Sequence, residues 1–202
     1  MNTTLIYLIG FPGSGKLTTA KELCNIIDGV IVNNNLFNNI IFDIIDFRNA
    51  EVTSEIWEEI FVIRENMLAI LEKYHIESKH YIFTNELIKG DSYDQRVYNL
   101  VVNLSKKMNV EILPVVLYCN SAELVKRVQS KEREQERKIT DSDFAMRRIK
   151  GKKLFVPQGS LEIDNSNLSA KEVAKKIVEK MNSKKVVGTS MIDNLAKESI
   201  CD

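Results

Sequence analysis

The stretch TLIYLIGFPGSGKLTTAKELC, residues 4–24, decides how the rest of the chain is read. Six residues of an almost wholly apolar run end at Gly10, three glycines and a lysine follow within seven positions, and an amphipathic pattern starts at once. Gly10, Gly15 and Lys16 satisfy the spacing G-x-x-x-x-G-K, in which backbone N–H groups cradle phosphates and the lysine reaches the outer ones. Gly13 and Ser14 supply further small residues where backbone must approach a phosphate closely. The pattern usually continues with Ser or Thr, whose hydroxyl binds Mg²⁺, but here position 17 is Leu and the hydroxyl comes one residue late, at Thr18. The context is strand, loop, helix, as the motif requires: the run before it suits a buried parallel strand, and Leu17, Ala20, Leu23, Cys24 and Ile27 recur at helical spacing after it.

Working outward, GVIVN at 29–33 reads as a second strand, followed by NNNLFNN and an apolar stretch through Phe47. Asparagine caps helices and accepts turn geometry, so this cluster reads either as a capped turn or as a polar floor at a strand end. The segment 53–75 predicts a long amphipathic helix with Ile56, Ile60, Ile63, Met67, Ile70 and Leu71 inward. KHYIFTNEL predicts a third strand, SYDQRVYNLVVNLSKKM a helix, VEILPVVLYCN a fourth strand and SAELVKRV a further helix. A wholly polar run, SKEREQERKITDSD, precedes a short helix at 141–150, and SLEIDNSNLSAKEVAKKIVEKM closes with a fifth strand and a helix. Strands alternating with helices imply βαβ units around a parallel sheet. His75 and His80 flank the start of the third strand and read as surface residues.

The 202 residues, 44% hydrophobic, suffice for one α/β domain over 1–182, with 183–202 as a weakly patterned tail. Lys and Arg number 28, Asp and Glu 28, so no global field recruits nucleic acid or an anionic membrane. Cys24, Cys119 and Cys201 lack metal-ligand spacing and suit a reducing compartment, and no segment has the length and apolarity of a membrane span or a leader. A cytoplasmic location is expected.

The chain resembles the P-loop small-molecule and nucleotide kinases: shikimate and gluconate kinases, adenylate kinase, chloramphenicol phosphotransferase and zeta-type kinases. The resemblance rests on GFPGSGKLT, the helix carrying Arg127, the charged run with Arg133 and Arg137, and LEIDNSNLSAKEVAKKI. It implies a three-layer P-loop NTPase fold, a five-stranded parallel sheet flanked by helices, with a small helical lid near 127–153. It also implies an ATP-dependent kinase that uses Mg²⁺ and a small-molecule acceptor, as a monomer or homodimer. Adenylate kinases likewise delay the threonine by one, an arrangement in which Leu17 contributes its N–H and packs beneath the loop. Thr18 then contacts phosphate, holding the metal through water.

By the same resemblance Arg127 stacks on adenine near Pro157, while Arg133, Arg137 or Lys138 reach the phosphates from the lid. Families of this type place an acid at the end of strand two, whereas this chain has Asn33, Asn34 and Asn35, which can orient an acceptor hydroxyl but not take its proton. Asp43, Asp46 and Glu86 are the candidate bases. Glu86 is favoured because the third strand should lie beside the phosphate-loop strand, bringing Thr84, Asn85 and Glu86 to the edge facing the γ-phosphate. Two rivals stand beside the kinase: a nucleotide-binding regulatory protein without efficient catalysis, and a switch-like NTPase. The absence of N-K-x-D and D-x-x-G motifs counts against the switch.

Overall fold

The computed structural model describes residues 3–45, 52–129 and 141–183. Its sheet consists of β1 (Thr4–Ile9), β2 (Gly29–Asn33), β3 (His80–Asn85), β4 (Glu111–Tyr118) and β5 (Leu161–Asp164). All pairings are parallel, in the order β2-β3-β1-β4-β5. The helices are α1 (Lys16–Cys24), α2 (Asn35–Ile45), α3 (Ser54–Tyr74), α4 (Ser92–Lys107), α5 (Ser121–Val128), α6 (Ser142–Gly151) and α7 over residues 170–183.

Every residue of β1 is buried, as a central parallel strand requires. Successive side chains point to opposite faces. Leu5, Tyr7 and Ile9 join Phe61, Leu68, Val97, Val101 and Leu104 from α3 and α4 in one apolar layer. Ile6 and Leu8 join Ala20 and Leu23 of α1 and Val173, Ala174, Ile177 and Met181 of α7 in the other. The result is three layers with the sheet in the middle. Because the chain leaves β1 for β2 on one side while β4 and β5 add on the other, the crevice at the carboxyl edge of β1 is the topological switch point.

Three local features depart from the sequence pattern. The inner line of α3 is Ile60, Phe61, Arg64 and Leu68, while Ile70 is exposed. A cation in the middle of the buried stripe rotates the apparent apolar face away from the real one. On α2 it is Phe37 and Asn38 that turn inward, and Ile40 and Ile44 face solvent. His80 is buried, not superficial: its Nδ1 accepts from the Thr4 N–H at 3.1 Å, tying the first residue of β1 to the first of β3.

Between β3 and α4 the chain is held by two carboxylates. Asp91 caps α4 by accepting from the Asp94 N–H at 3.1 Å, and Asp94 Oδ2 accepts from the Ile88 N–H at 2.7 Å. Burial, opposed in part by that hydrogen bond, pushes the Asp94 carboxyl up to about 6. A carboxyl raised above its unfolded value of about 4 makes the folded chain bind a proton more tightly than the unfolded one. Its stabilising effect is full below that value and is lost as pH rises through about 6. Asp94→Asn keeps the acceptor for Ile88 and removes the titration. Urea unfolding of both proteins at about pH 4 and about pH 7 should show the parent losing stability relative to the variant as pH rises. A pH-independent difference would contradict the assignment.

Candidate functional site

The loop after β1 is built by backbone conformation. Gly13 and Gly15 have φ of 87° and 85°, a region that side-chain-bearing residues rarely adopt, and a Cβ on Gly13 would lie 2.7 Å from Val128 Cγ2. Gly10 is closed in differently: a Cβ there would run into Ser14 Oγ. Ser14 N–H donates to the Phe11 carbonyl at 3.1 Å and Thr19 N–H to the Gly15 carbonyl at 2.9 Å, which turns the chain into α1. Gly15 caps α1 without a side-chain hydrogen bond, and the first turn carries no acid. Its outermost amides and the positive end of the helix dipole are therefore available to an anion.

Lys16 Nζ donates to the carbonyls of Gly10 at 2.6 Å and Phe11 at 2.9 Å, folding back across the loop. The Ser14 hydroxyl is buried without a hydrogen-bond partner among the described residues. A cradle too tight for a Cβ, with an orphaned hydroxyl in its wall and a lysine across its mouth, fits phosphate oxygens. The fit for magnesium is different. Leu17 offers no oxygen, Thr18 is exposed, and no three His, Cys, Asp or Glu side chains cluster as metal ligands among the described residues. Such residues suit only an ion carried by the phosphates and otherwise hydrated.

The far wall comes from the closing segment. Asn165, just past β5, donates from Nδ2 to the Ser14 carbonyl at 2.8 Å and accepts at Oδ1 from Arg127 Nη1 at 3.0 Å. Arg127 also donates from Nη2 to the Asn165 carbonyl and from Nε to Glu123. These bonds hold its guanidinium beside Gly15. Its donors go to Glu123 and Asn165, so its position beside the loop is set by α5 and the β5 end.

The side of the loop facing the ends of β2 and β3 gathers some predicted residues and adds others. Asn33 Oδ1 accepts from Thr84 Oγ1 at 3.1 Å and from the Asn35 N–H at 3.2 Å. Asn34 Oδ1 accepts from Arg64 Nη2 at 2.7 Å. Leu17 does not pack beneath the loop as expected; it lines an open cleft of about 640 Å³ with Asn33, Asn35, Leu36, Asn39, Ile40 and Asp43. Asp43 is exposed on α2. Glu86, at the carboxyl edge beyond β3, is gripped side-on by Arg148 of α6, with Nε at 3.0 Å and Nη2 at 2.9 Å. The carboxylate is thus occupied by a guanidinium. Arg133, Arg137, Lys138 and Asp46 lie outside the described residues.

Sequence reasoning missed Arg64, Arg148, Asn38 and Asn165. A lone arginine four residues from both Ile60 and Leu68 was the available signal for Arg64; Arg148 and Asn165 act only through partners distant in the chain.

Similar folds among solved structures agree with this arrangement. A gluconokinase from Sinorhizobium meliloti is 13% identical with a TM-score of 0.56, the match covering 93% of this chain and 97% of that one. The APS kinase from Mycobacterium tuberculosis, solved with AMPPNP and APS, is 11% identical with a TM-score of 0.54, covering 90% and 98%. The tunicamycin resistance protein of Deinococcus radiodurans is 12% identical with a TM-score of 0.53, covering 89% and 95%. No curated protein matches the sequence significantly. The family model for the AAA domain matches residues 5–154, from the second residue of β1 to the bridge at Leu154. With most of its length under that match, the chain belongs to the AAA domain family and has the fold of the P-loop small-molecule kinases.

Proposed function

We propose that this protein is an ATP-dependent phosphotransferase of the cytoplasm that moves the γ-phosphate to a hydroxyl or phosphate of a small molecule or nucleotide. The observation that carries the reading is the loop itself: two left-handed glycines and Lys16 set an uncapped helix N-terminus at the switch point of a parallel sheet. In this reading Lys16 exchanges the Gly10 and Phe11 carbonyls for phosphate oxygens, while Gly13, Ser14, Gly15, Leu17 and Thr18 supply backbone donors and Arg127 flanks the nucleotide. A divalent ion carried by the phosphates would add charge neutralisation, with Thr18 reaching it through water. Arg133 and Arg137 are assigned to neutralise the migrating phosphoryl group, the main demand of this chemistry.

Arg148 joins that set as a cation fixed beside the carboxyl edge. Its bidentate grip on Glu86 makes Glu86 more useful for aiming Arg148 than for taking a proton. Asn33, Asn34 and Asn35 are assigned to orient the acceptor. A second reading, a nucleotide-binding regulatory protein, is favoured by Asn33 standing where an acid would deprotonate an acceptor and by the engagement of Glu86. A ³²P-transfer screen from ATP over nucleosides, nucleotides, sugars, sugar acids and antibiotics separates the two: transfer supports the kinase, and tight ATP binding without transfer supports the regulator.

Lys16→Ala should lower ATP affinity roughly 10- to 100-fold, the worth of one charged hydrogen-bonding partner, and leave adenosine binding unchanged in calorimetry. Equal ATP affinity in the variant and the parent would remove the loop assignment. Arg148→Met should lower turnover about 100-fold, the effect of deleting one donor to developing charge. If Glu86 acts by aiming Arg148, Glu86→Gln combined with Arg148→Met should be no slower than Arg148→Met alone. Additive losses would return Glu86 to a role of its own.

A further inference from the structure

Leu17 stands where the pattern G-x-x-x-x-G-K usually continues with a hydroxyl. Its side chain is half-buried and lines the open cleft of about 640 Å³ between the phosphate loop, the end of β2 and α2. A serine or threonine there would bring an oxygen to that wall. Leucine brings methyl groups, for which the holding of phosphates has no use.

The opposite wall is patterned to match. Residues four apart on a helix share a face, so α2 turns two adjacent rows to the cleft, Leu36 and Ile40 in one and Asn35, Asn39 and Asp43 in the other. Leu36 is 51% exposed and Ile40 44%, and Ile44 continues the apolar row at 77%. Single exposed aliphatic side chains are ordinary, but a contiguous apolar strip rimmed by polar groups marks a binding surface. The inward face of α2 is held by Phe37 and Asn38, so packing within the domain does not account for the strip. At the head of the cleft, Asn33 Oδ1 already accepts from Thr84 Oγ1 and from the Asn35 N–H. What Asn33 can offer a ligand is therefore its Nδ2 donors, suited to an oxygen.

The occupant is small. Leu17 directly follows Lys16, and a protein seated across it would close the mouth of the phosphate loop. A molecule with an apolar flank, and a hydroxyl at the end nearest Asn33, fits both walls.

We propose that the acceptor is an alcohol with an apolar body, that this body packs between Leu17 and the row of Leu36 and Ile40, and that Leu17 sets the preference for it. Naming the occupant as the acceptor rests on the phosphotransferase reading; the apolar cleft does not. Sugars and other polyols, hydroxylated along their whole length, are poor occupants because the strip would strip water from groups it cannot pair.

The test follows the methyl resonances of Leu17 and Ile40 by ¹³C NMR in the full chain, assigned by their loss in Leu17→Ser and Ile40→Ser. With the loop saturated by a non-hydrolysable ATP analogue, butane-1,2-diol, pentane-1,2-diol and hexane-1,2-diol are titrated in turn, and sorbitol serves as the fully hydroxylated comparison. Both sets of methyl groups should shift saturably with the diols, and affinity should rise about fourfold for each added methylene. Sorbitol should move neither. Leu17→Ser, observed through Ile40, should bind hexane-1,2-diol roughly 10-fold more weakly and gain less from each methylene. Methyl groups unmoved by the diols, an affinity independent of chain length, an equal response to sorbitol, or unchanged diol binding in Leu17→Ser would overturn the proposal. Sedimentation of the parent and of Ile40→Ser should give the same mass; a larger parent that becomes monomeric in the variant would assign the strip to a second copy of the chain and overturn it too. Failure of the ATP analogue to bind would instead defeat the phosphotransferase reading, and the same titrations without nucleotide would still test the cleft.

Discussion

The Gly10 N–H donates to the Asn85 carbonyl at 3.2 Å, one step beyond the last paired residues of β1 and β3, Ile9 and Asn85. That bond fixes where the chain departs from the sheet. With Gly10 pinned, the turn through Gly13 and Gly15 has to close within five residues, α1 has to start at Lys16, and its first amides face the crevice. The residues at the end of β3 are placed by the same contact, so Asn85 and Glu86 flank the loop by geometry and not by coincidence of sequence. A parallel pair whose side chains are all buried gives this contact a rigid foundation.

Around the loop, charges are held in place before any ligand arrives. Arg127 is locked by Glu123 and Asn165, and Arg148 by Glu86. Preorganised donors of this kind avoid reorganisation as charge develops, which is the larger part of what a phosphoryl-transfer site supplies. Lys16 differs, since its partners are neutral carbonyl oxygens, weaker acceptors than a charged oxygen.

Most of the fold was legible because its signals are local. A parallel strand buried on both faces writes itself as a continuous apolar run, so β1 and β3 were visible, and the placement of β3 beside β1 followed from the switch-point rule. The phosphate loop was visible because three glycines and a lysine have few other uses at that spacing. What was hidden depends on partners far away in the chain. The inner face of α3 was misread because Arg64 interrupts its apolar line, and its partners there, among them Asn34 and Asn38, thirty and twenty-six residues earlier, lie far off in the chain. His80 looks superficial until its Nδ1 is seen against the Thr4 amide, 76 positions away. Leu17 was expected to pack beneath the loop, but the cleft against α2 gives it another surface to line.

The amide of Asn165 reaches across 151 residues to the Ser14 carbonyl, and it can do so only after β5 has paired with β4. During synthesis the loop therefore leaves the ribosome 151 residues ahead of the amide that closes it and waits for that outer wall. A nascent or truncated chain lacking the final strand would have a central β1 but an open phosphate cradle. The complete cradle thus exists only once the sheet has closed.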